Sequence, residues 1–296
     1  MSKAYYMALV NKERIKLLDA NVSRLKKLLD DTRAYNKEGF VEKIDVDRLE
    51  VTYNNLITEK EKTERLISLS ETLLKFQMGY KLSDPITLSD KLDAEQQSAL
   101  TMNDNGKINF ANRPEYAIAE TQRSLNELDL KRNRMAYLPT LVGYASWNYN
   151  AQRTKFDFFD ASQKWFSIGI IGATLNVPVF DGLQKHWRIQ QAKVSLQKTN
   201  NNIQNLELAI ELETASSSVS YQNALVSVET QKRNMDLAQN IFDVSEKKYK
   251  EGVGSNIEMV NAQTSLKEAQ TNYYNALYDL LVAKTDYLKA TGALIK

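Results

Sequence analysis

The chain has 296 residues, of which 43% are hydrophobic and 26% charged, and its formal net charge is +2. The near balance of charge argues against a nucleic-acid-binding surface, and the lack of cysteine excludes disulfides and thiolate metal sites. Only ten glycines and four prolines interrupt the sequence, so we predict a mainly α-helical protein built from long helices.

The residue patterns that carry enzyme chemistry do not occur in the sequence. The single histidine, His186, lies among basic and aromatic neighbours and is expected to be an ordinary surface or interface residue. No phosphate-binding loop, G-x-S-x-G or H-E-x-x-H pattern occurs. We therefore expect no enzymatic activity, no bound metal and no cofactor.

Residues 1–80 are predicted to form a first helical hairpin. Apolar residues recur on one side of residues 4–36, which indicates an amphipathic helix, and residues 44–79 are predicted as its partner. A glycine-containing break around Gly39 separates the two helices.

Residues 81–112 are more polar and are predicted as an irregular connector with one short helix. Turn signals occur at Ser83-Asp84-Pro85 and at Asn103-Asp104-Asn105-Gly106. A new helix is predicted over residues 113–136, because Asn112-Arg113-Pro114-Glu115 places a proline in the first turn with an acidic residue behind it.

Residues 137–182 change to the pattern of a β-hairpin. Apolar and polar residues alternate from Leu141 to Asn150, and a second run rich in Ile, Val and Gly extends from Trp165 to Val179. Each run is about 10 to 14 residues long, the length that crosses an outer-membrane hydrocarbon layer at a tilt. Five aromatic residues near the strand ends are candidates for the membrane interface: Tyr137, Trp147, Tyr149, Trp165 and Phe180. A soluble hairpin that lies on a helical body is the alternative.

Residues 183–296 are predicted to form a second long helical hairpin. No glycine or proline interrupts the stretch from Leu183 to Lys250, which as a helix would span roughly 100 Å at about 1.5 Å per residue. In the helix after the next break, large residues recur at heptad spacing and alanines follow three positions later, which predicts a left-handed coiled coil. The large residues are Met259, Leu266, Tyr273, Leu280, Tyr287 and Leu294, and the alanines are Ala262, Ala269, Ala276, Ala283 and Ala290.

The two helical hairpins are related by an internal duplication. Gly39 and Gly79 are separated by the same number of residues as Gly252 and Gly292, and the two segments align without a gap. Such a repeat indicates one helix–turn–helix unit used twice, in which each unit packs its apolar face against the other. The first copy has Lys60 in its stripe of large residues, where we expect the side chain to reach solvent.

These features, in this order, resemble the TolC-like outer membrane efflux proteins. The resemblance rests on the helix that opens at Asn112 and ends in Tyr137-Leu138-Pro139, on the strand-to-helix junction from Asn176 to Gly182, and on the duplicated hairpin. It covers nearly the whole chain. It implies a homotrimer in which each protomer gives strands to a β-barrel in the outer-membrane lipid. The long helices would form an α-helical barrel in the periplasm of a Gram-negative bacterium.

The resemblance also implies a function and partners. Members of the family are passive conduits for small molecules or drugs in tripartite efflux or type I secretion systems, together with an inner-membrane pump and a periplasmic adaptor (membrane fusion) protein. The tips of the helical hairpins are expected to meet the adaptor and to open like an iris. The corresponding residues are Gly39, Phe40, Val41, Glu42 and Lys43 in the first tip, and Gly252, Val253, Gly254, Ser255 and Asn256 in the second.

The chain departs from the family pattern at its start. The counterpart of the helix start near Leu183 would precede Met1, so the first long helix, the first β-hairpin and a signal peptide are expected to be absent. Three copies would then supply only half of the barrel's strands. Two other hypotheses are a soluble coiled-coil scaffold derived from this family and a periplasmic adaptor. The adaptor is least favoured because it should carry a lipoyl-like β domain.

Overall fold

A computed structural model describes residues 1–101 and 107–294 of the chain. The helices are α1 (Ser2–Lys37), α2 (Lys43–Met78), α3 (Leu92–Leu100), α4 (Pro114–Met135), α5 (Gln184–Lys250) and α6 (Asn256–Thr291), with a 3-10 turn at Phe110–Asn112. Within the described ranges, strands β1 (Thr140–Asn150) and β2 (Phe166–Asn176) form one antiparallel sheet. The predicted fold class, mainly α with long helical hairpins and one β-hairpin, is confirmed. The predicted turn at 103–106 lies outside the described residues.

The chain divides into two compact units. The helical unit comprises residues 1–113 and 209–296, and the strand unit comprises residues 114–208. Helix α5, which has 67 residues, contributes to both. No helix in residues 1–101 and 107–294 combines the length and the apolar character needed to cross a membrane.

The four glycines that define the duplication share one local structure. All have a φ angle between 67° and 80°: Gly39, Gly79, Gly252 and Gly292. At the end of α5, Val253 N–H donates to the Lys248 carbonyl and Gly252 N–H donates to the Tyr249 carbonyl, both at 3.0 Å. This is a Schellman motif, and glycine occupies its left-handed position without steric cost. The duplicated glycines therefore mark four helix ends of the same type.

The core of the helical unit follows α6. Large residues of the predicted stripe are buried from Met259 to Tyr287, which confirms the heptad prediction over that range, whereas Leu294 is exposed. Ala262, Ala276 and Ala290 are buried beside them. Small alanine side chains let the backbones of neighbouring helices approach, and the large residues fill the remaining space.

The first copy packs through a different stripe of the same heptad. Its most buried positions are those equivalent to the alanine stripe: Leu49, Leu56, Thr63 and Ser70. Lys60, on the other stripe, is partly exposed, and its Nζ lies 2.7 Å from the Asp19 carboxylate. The hydrogen bond to Asp19 and the charge of that carboxylate raise the pKa of Lys60. The two copies thus share a period but differ in the residues that fill the core.

The connector is fastened to the helical unit through α3. Leu92 is buried, and two adjacent tyrosines of α1 reach the connector with their hydroxyls. Tyr5 donates a short hydrogen bond to Asp90, and Tyr6 donates to Glu95 at 3.2 Å. Burial, followed by the hydrogen bond to Asp90, raises the pKa of Tyr5 to about 12. Both contacts therefore require protonated tyrosines.

The end of the connector caps the last turn of α6. Arg113 is buried and donates to the Ala290 carbonyl at 3.0 Å and to the Glu213 carboxylate at 2.7 Å. The N–H of Asn109 donates to the Thr291 carbonyl at 2.9 Å. Carbonyl groups at a helix C-terminus lack partners within the helix, so these donors satisfy them.

The strand unit contains α4 packed antiparallel to the first part of α5. Tyr116 donates to the Glu207 carboxylate at 3.1 Å, and Asn126 donates to the Thr199 hydroxyl at 2.7 Å. The order of these contacts along the two helices shows that they run in opposite directions. Leu130 is buried near the end of α4, from which the chain enters β1.

Candidate functional site

The first hairpin tip is a tight turn between α1 and α2. Its predicted residues are exposed or half-buried: Gly39, Phe40, Val41, Glu42 and Lys43. The Asn36 side chain donates to the Val41 carbonyl at 2.8 Å and closes the turn. Asp45 lies in the first turn of α2, where the helix dipole favours a negative charge. The turn is ordered by the chain itself, and it leaves the Phe40 ring in solvent.

The second tip joins α5 to α6 and is built more tightly. A Cβ atom at Gly254 would lie 2.9 Å from Lys248 Cβ and 3.0 Å from Tyr249 N, so only glycine fits against the end of α5. The Ser255 hydroxyl accepts a hydrogen bond from Glu258 N–H at 3.2 Å and caps α6. Of the predicted residues, Gly252, Val253 and Ser255 are exposed, Gly254 is half-buried and Asn256 is buried.

The structure brings the two predicted tips together around one groove. The groove has a volume of about 930 Å³ and is lined by residues of both tips, among them Val41, Arg48, Tyr249 and Ile257. Asn256 links the tips by donating from Nδ2 to the Asp45 carbonyl at 3.4 Å. Among the described residues, the buried Asn256 Oδ1 has no hydrogen-bond partner.

The groove carries charges of both signs. Asp45 and Arg48 form an ion pair at 3.5 Å, and Glu42, Lys250 and Glu251 also line the groove. A concave surface with mixed charge, backbone turns and an exposed aromatic ring is suited to binding another polypeptide. In the described part of the chain, no group of three or more His, Cys, Asp or Glu residues could hold a metal ion.

The strand pair has two unlike faces. One face is largely apolar, and the other mixes polar and apolar residues. Besides glycines, the apolar face carries Leu141, Ala145, Trp147, Tyr149, Ser167, Ile171, Ala173 and Leu175, and the mixed face carries Thr140, Val142, Tyr144, Ser146, Asn148, Asn150, Phe166, Ile168, Ile170, Thr174 and Asn176. Every residue of β1 is exposed, as are all residues of β2 except half-buried Gly172. Neither face is therefore covered by the residues that the structure describes.

The five predicted interface aromatics lie at or near the ends of the strand pair, and all are exposed. Tyr137 and Phe180 lie just outside the end where β1 begins and β2 stops, whereas Tyr149 and Trp165 lie at the other end. Trp147 is opposite Gly169, and its ring fills the space that a side chain there would need. The placement of these residues at a membrane interface stays a prediction.

Three contacts at the tips were not predicted from the sequence. The Asn36 contact is local, but asparagine before a glycine turn does not specify which carbonyl it will meet. The contact between Asn256 and Asp45 joins distant parts of the chain, so no spacing could indicate it. The capping pair Ser255 and Glu258 has the S-x-x-E spacing of a capping box and could have been found.

Comparisons with known proteins agree with this architecture. The sequence profile of the family "Outer membrane efflux protein" matches residues 108–293. Outer membrane protein TolC of Salmonella enteritidis is 22% identical over 182 residues, which cover 60% of this chain and 36% of that protein. Alkaline protease secretion protein AprF of Pseudomonas aeruginosa is 22% identical over 219 residues, which cover 72% of this chain and 42% of that protein.

Solved structures have the same fold. The outer-membrane channel OprN superposes with a TM-score of 0.75 at 15% identity, over 99% of this chain and 65% of that one. The open state of the Neisseria gonorrhoeae MtrE outer membrane channel gives a TM-score of 0.72 at 14% identity, over 100% of this chain and 65% of that one.

Glycine-tipped helical hairpins and an uncovered strand pair define a protein of the TolC-like class. This chain belongs to the outer membrane efflux protein family. It spans 36% and 42% of the length of the two curated relatives above.

Proposed function

We propose that this chain is the protomer, or part of the protomer, of an outer-membrane channel. The channel would be a passive conduit for small molecules or drugs across the periplasm and outer membrane, in a tripartite efflux or type I secretion system. The proposal rests on two features that occur together in this member of the family. The tips of two helical hairpins line one groove, and a separate strand pair is long enough to cross a membrane. Family membership favours this conduit over a soluble scaffold.

Assembly with further copies of the chain is supported by an uncovered heptad stripe on α5. Leu212, Val219 and Val226 are all exposed and recur at heptad spacing. An apolar stripe of this kind favours a partner helix, because a long exposed row of aliphatic side chains is costly in water. The outer edges of β1 and β2 also need partners, since a two-stranded sheet cannot close on itself. We propose a homotrimer.

The outer membrane is the proposed location of the strand pair. Its apolar face would contact lipid, and its mixed face would look into the barrel. The aromatic residues at both ends, such as Tyr137 and Trp165, would then lie at the two headgroup layers. The helical hairpins would extend into the periplasm.

The groove between the hairpin tips is the proposed docking site for a periplasmic adaptor, which would connect the channel to an inner-membrane pump. Opening of the tips would break the hydrogen bond between Asn256 and the Asp45 carbonyl and the contact at 3.4 Å between the Thr32 and Tyr249 hydroxyls. Each such bond contributes about 1 kcal/mol net, and any separation of the buried cluster that contains Val46 and Met259 would add to the free energy that docking must supply.

The conduit is tested by measuring efflux. Deletion of the gene should raise the accumulation of fluorescent dyes and drugs in cells that normally produce the protein, and the intact gene should restore efflux. Unchanged accumulation of a broad panel of compounds in the deletion strain would contradict the proposed function.

The adaptor contact is tested by photo-crosslinking at matched positions. Phe40 at the tip and Phe76 near the other end of α2 are 78% and 72% exposed. A photoreactive phenylalanine analogue at position 40 should crosslink to a membrane fusion protein identified by mass spectrometry, and the same analogue at position 76 should not. Equal crosslinking at both positions, or none at position 40, would contradict docking at the tip.

A further inference from the structure

The loop between the two strands, residues 151–165, is held in a defined shape and is called the aromatic loop below. Arg153 closes its base, because its guanidinium donates to the Lys164 carbonyl at 3.1 Å and to the Gln152 carbonyl at 3.2 Å. The same buried side chain lies 3.5 Å from the Asp157 carboxylate. Contacts among its own residues thus close the loop.

Phenylalanines project from this closed base into solvent. Phe156 and Phe159 are 84% and 90% exposed, and their ring centroids are 6.2 Å apart. Phe158 also packs edge-on against Phe156, with centroids 5.7 Å apart. Clustered exposed aromatic rings on an ordered loop mark an interaction surface, because each ring costs free energy in water.

The acidic and basic side chains of the aromatic loop differ in whether they have partners within the loop. Asp160 accepts hydrogen bonds from the backbone and hydroxyl of Ser162, at 2.9 and 2.8 Å, and Asp157 faces Arg153. Lys155 and Lys164 are exposed, and neither forms an ion pair with a carboxylate of the described residues. Both carboxylates therefore have partners within the loop, although Asp160 is itself exposed, while the cations next to the phenylalanines remain available.

We propose that the aromatic loop is an anchor for an anionic lipid leaflet. The Phe156 and Phe159 rings enter the headgroup layer, and Lys155 and Lys164 lie against lipid phosphates. The loop follows directly from the strand end that carries Tyr149, so a strand pair of membrane length delivers it to the lipid surface. This inference rests on the proposed membrane location of the strand pair. A lipid surface fits better than a protein groove, because it accepts a cluster of exposed rings without a shaped pocket and needs only positive charge beside them.

The test uses two single-cysteine reporters, which are clean because the chain has no cysteine. Ala161→Cys reports on the aromatic loop and Ala173→Cys reports on β2, each labelled with an environment-sensitive fluorophore in the full chain. Vesicles contain equal parts of phosphatidylcholine and phosphatidylglycerol, or phosphatidylcholine alone. Circular dichroism checks that each labelled variant keeps its helix content.

The loop reporter should shift to a shorter emission wavelength with anionic vesicles. Phe156→Ser combined with Phe159→Ser should raise the lipid concentration needed on the order of a hundredfold, about tenfold per ring. The control Phe76→Ser, at an exposed phenylalanine near the end of α2, should leave the vesicle response unchanged. Lys155→Gln combined with Lys164→Gln should weaken the response to anionic vesicles several-fold and leave neutral vesicles unaffected.

The two reporters separate failure of this inference from failure of the proposed function. A shift at position 173 without one at 161 overturns the anchor and leaves the membrane location intact. No shift at either position overturns both. A shift at 161 alone supports the anchor and contradicts insertion of the strands. A loop shift that survives loss of both phenylalanines, or that does not depend on lipid charge, overturns the anchor.

Discussion

Aspartate substitutions at two matched glycines distinguish an effect on stability from an effect on export. Gly252 lies at a hairpin tip, and Gly79 lies at the other end of α2. Gly252 and Gly79 end α5 and α2 with φ angles of 73° and 67°, and an added Cβ would meet nothing within 4 Å at either position. The cost of Gly→Asp is therefore the left-handed conformation, about 1 kcal/mol, together with up to about 1 kcal/mol for a negative charge at a helix C-terminus, and both costs apply at each site. Both variants should lose about 1–2 kcal/mol of unfolding free energy in urea and about 2–4 °C in Tm.

Export should distinguish the two variants, although their stability does not. Gly252→Asp adds a negative charge to the proposed adaptor surface and should raise drug susceptibility, whereas Gly79→Asp should leave it at the wild-type level. The assay compares growth inhibition in the same strain at equal protein abundance. Equal loss of export in both variants would assign the effect to stability, and normal export by Gly252→Asp would refute the tip assignment.

Three further predictions concern the helical unit. Leu266→Ala, at a fully buried heptad position, should cost about 2–5 kcal/mol in urea unfolding, and a cost below 1 kcal/mol would contradict its place in the core. Arg113→Met removes donors to the Ala290 carbonyl and should cost about 1–3 kcal/mol, with faster amide exchange in the last turn of α6; unchanged exchange would refute the cap. Because the pKa of Tyr5 is raised from 10.0 to about 12 on folding, the stability that its hydrogen bond adds to the folded protein is fully present below pH 10. That stability is lost as the pH rises through about 12. Tyr5→Phe should flatten that fall in stability, and an unchanged slope would contradict the link to Asp90.

The sequence predicted the helical hairpins well because glycine and heptad signals are local. Gly39 and Gly252 mark helix ends through a backbone conformation that other residues rarely adopt. The stripe from Met259 to Tyr287 is a periodic pattern, and its period follows directly from helix geometry. The strands could also be predicted from the alternation of apolar and polar residues: β1 exceeds its predicted run by one residue, Thr140, and β2 lies within its predicted run.

Contacts between distant residues could not be predicted in the same way. In the first copy the deepest stripe contains Thr63 and Ser70, which periodicity alone does not mark as core. Their hydroxyls donate to backbone carbonyls of the preceding turn, so they are buried without unpaired donors. The buried Arg113 at the end of α6 is likewise a charged residue whose partners lie far along the chain.

The candidate site shows the same difference between local sequence signals and contacts between distant residues. The tip residues follow from the glycine positions, but the groove exists only because Asn256 and Asp45 meet in space. The fastening of the aromatic loop depends on Arg153 and the Lys164 carbonyl, whose contact the residue types do not indicate. Sequence patterns therefore predicted the positions of the tips, and tertiary packing determined the shape of the groove between them.

The most direct test of the conduit is the mass of the full-length protein in detergent micelles, measured by native mass spectrometry. We expect three copies of the chain in the wild-type assembly. Val219→Asp in the α5 stripe should reduce the assembly to monomers and leave the helix content unchanged. A wild-type monomer that persists at micromolar concentration would contradict the central claim that copies of this chain build a channel together.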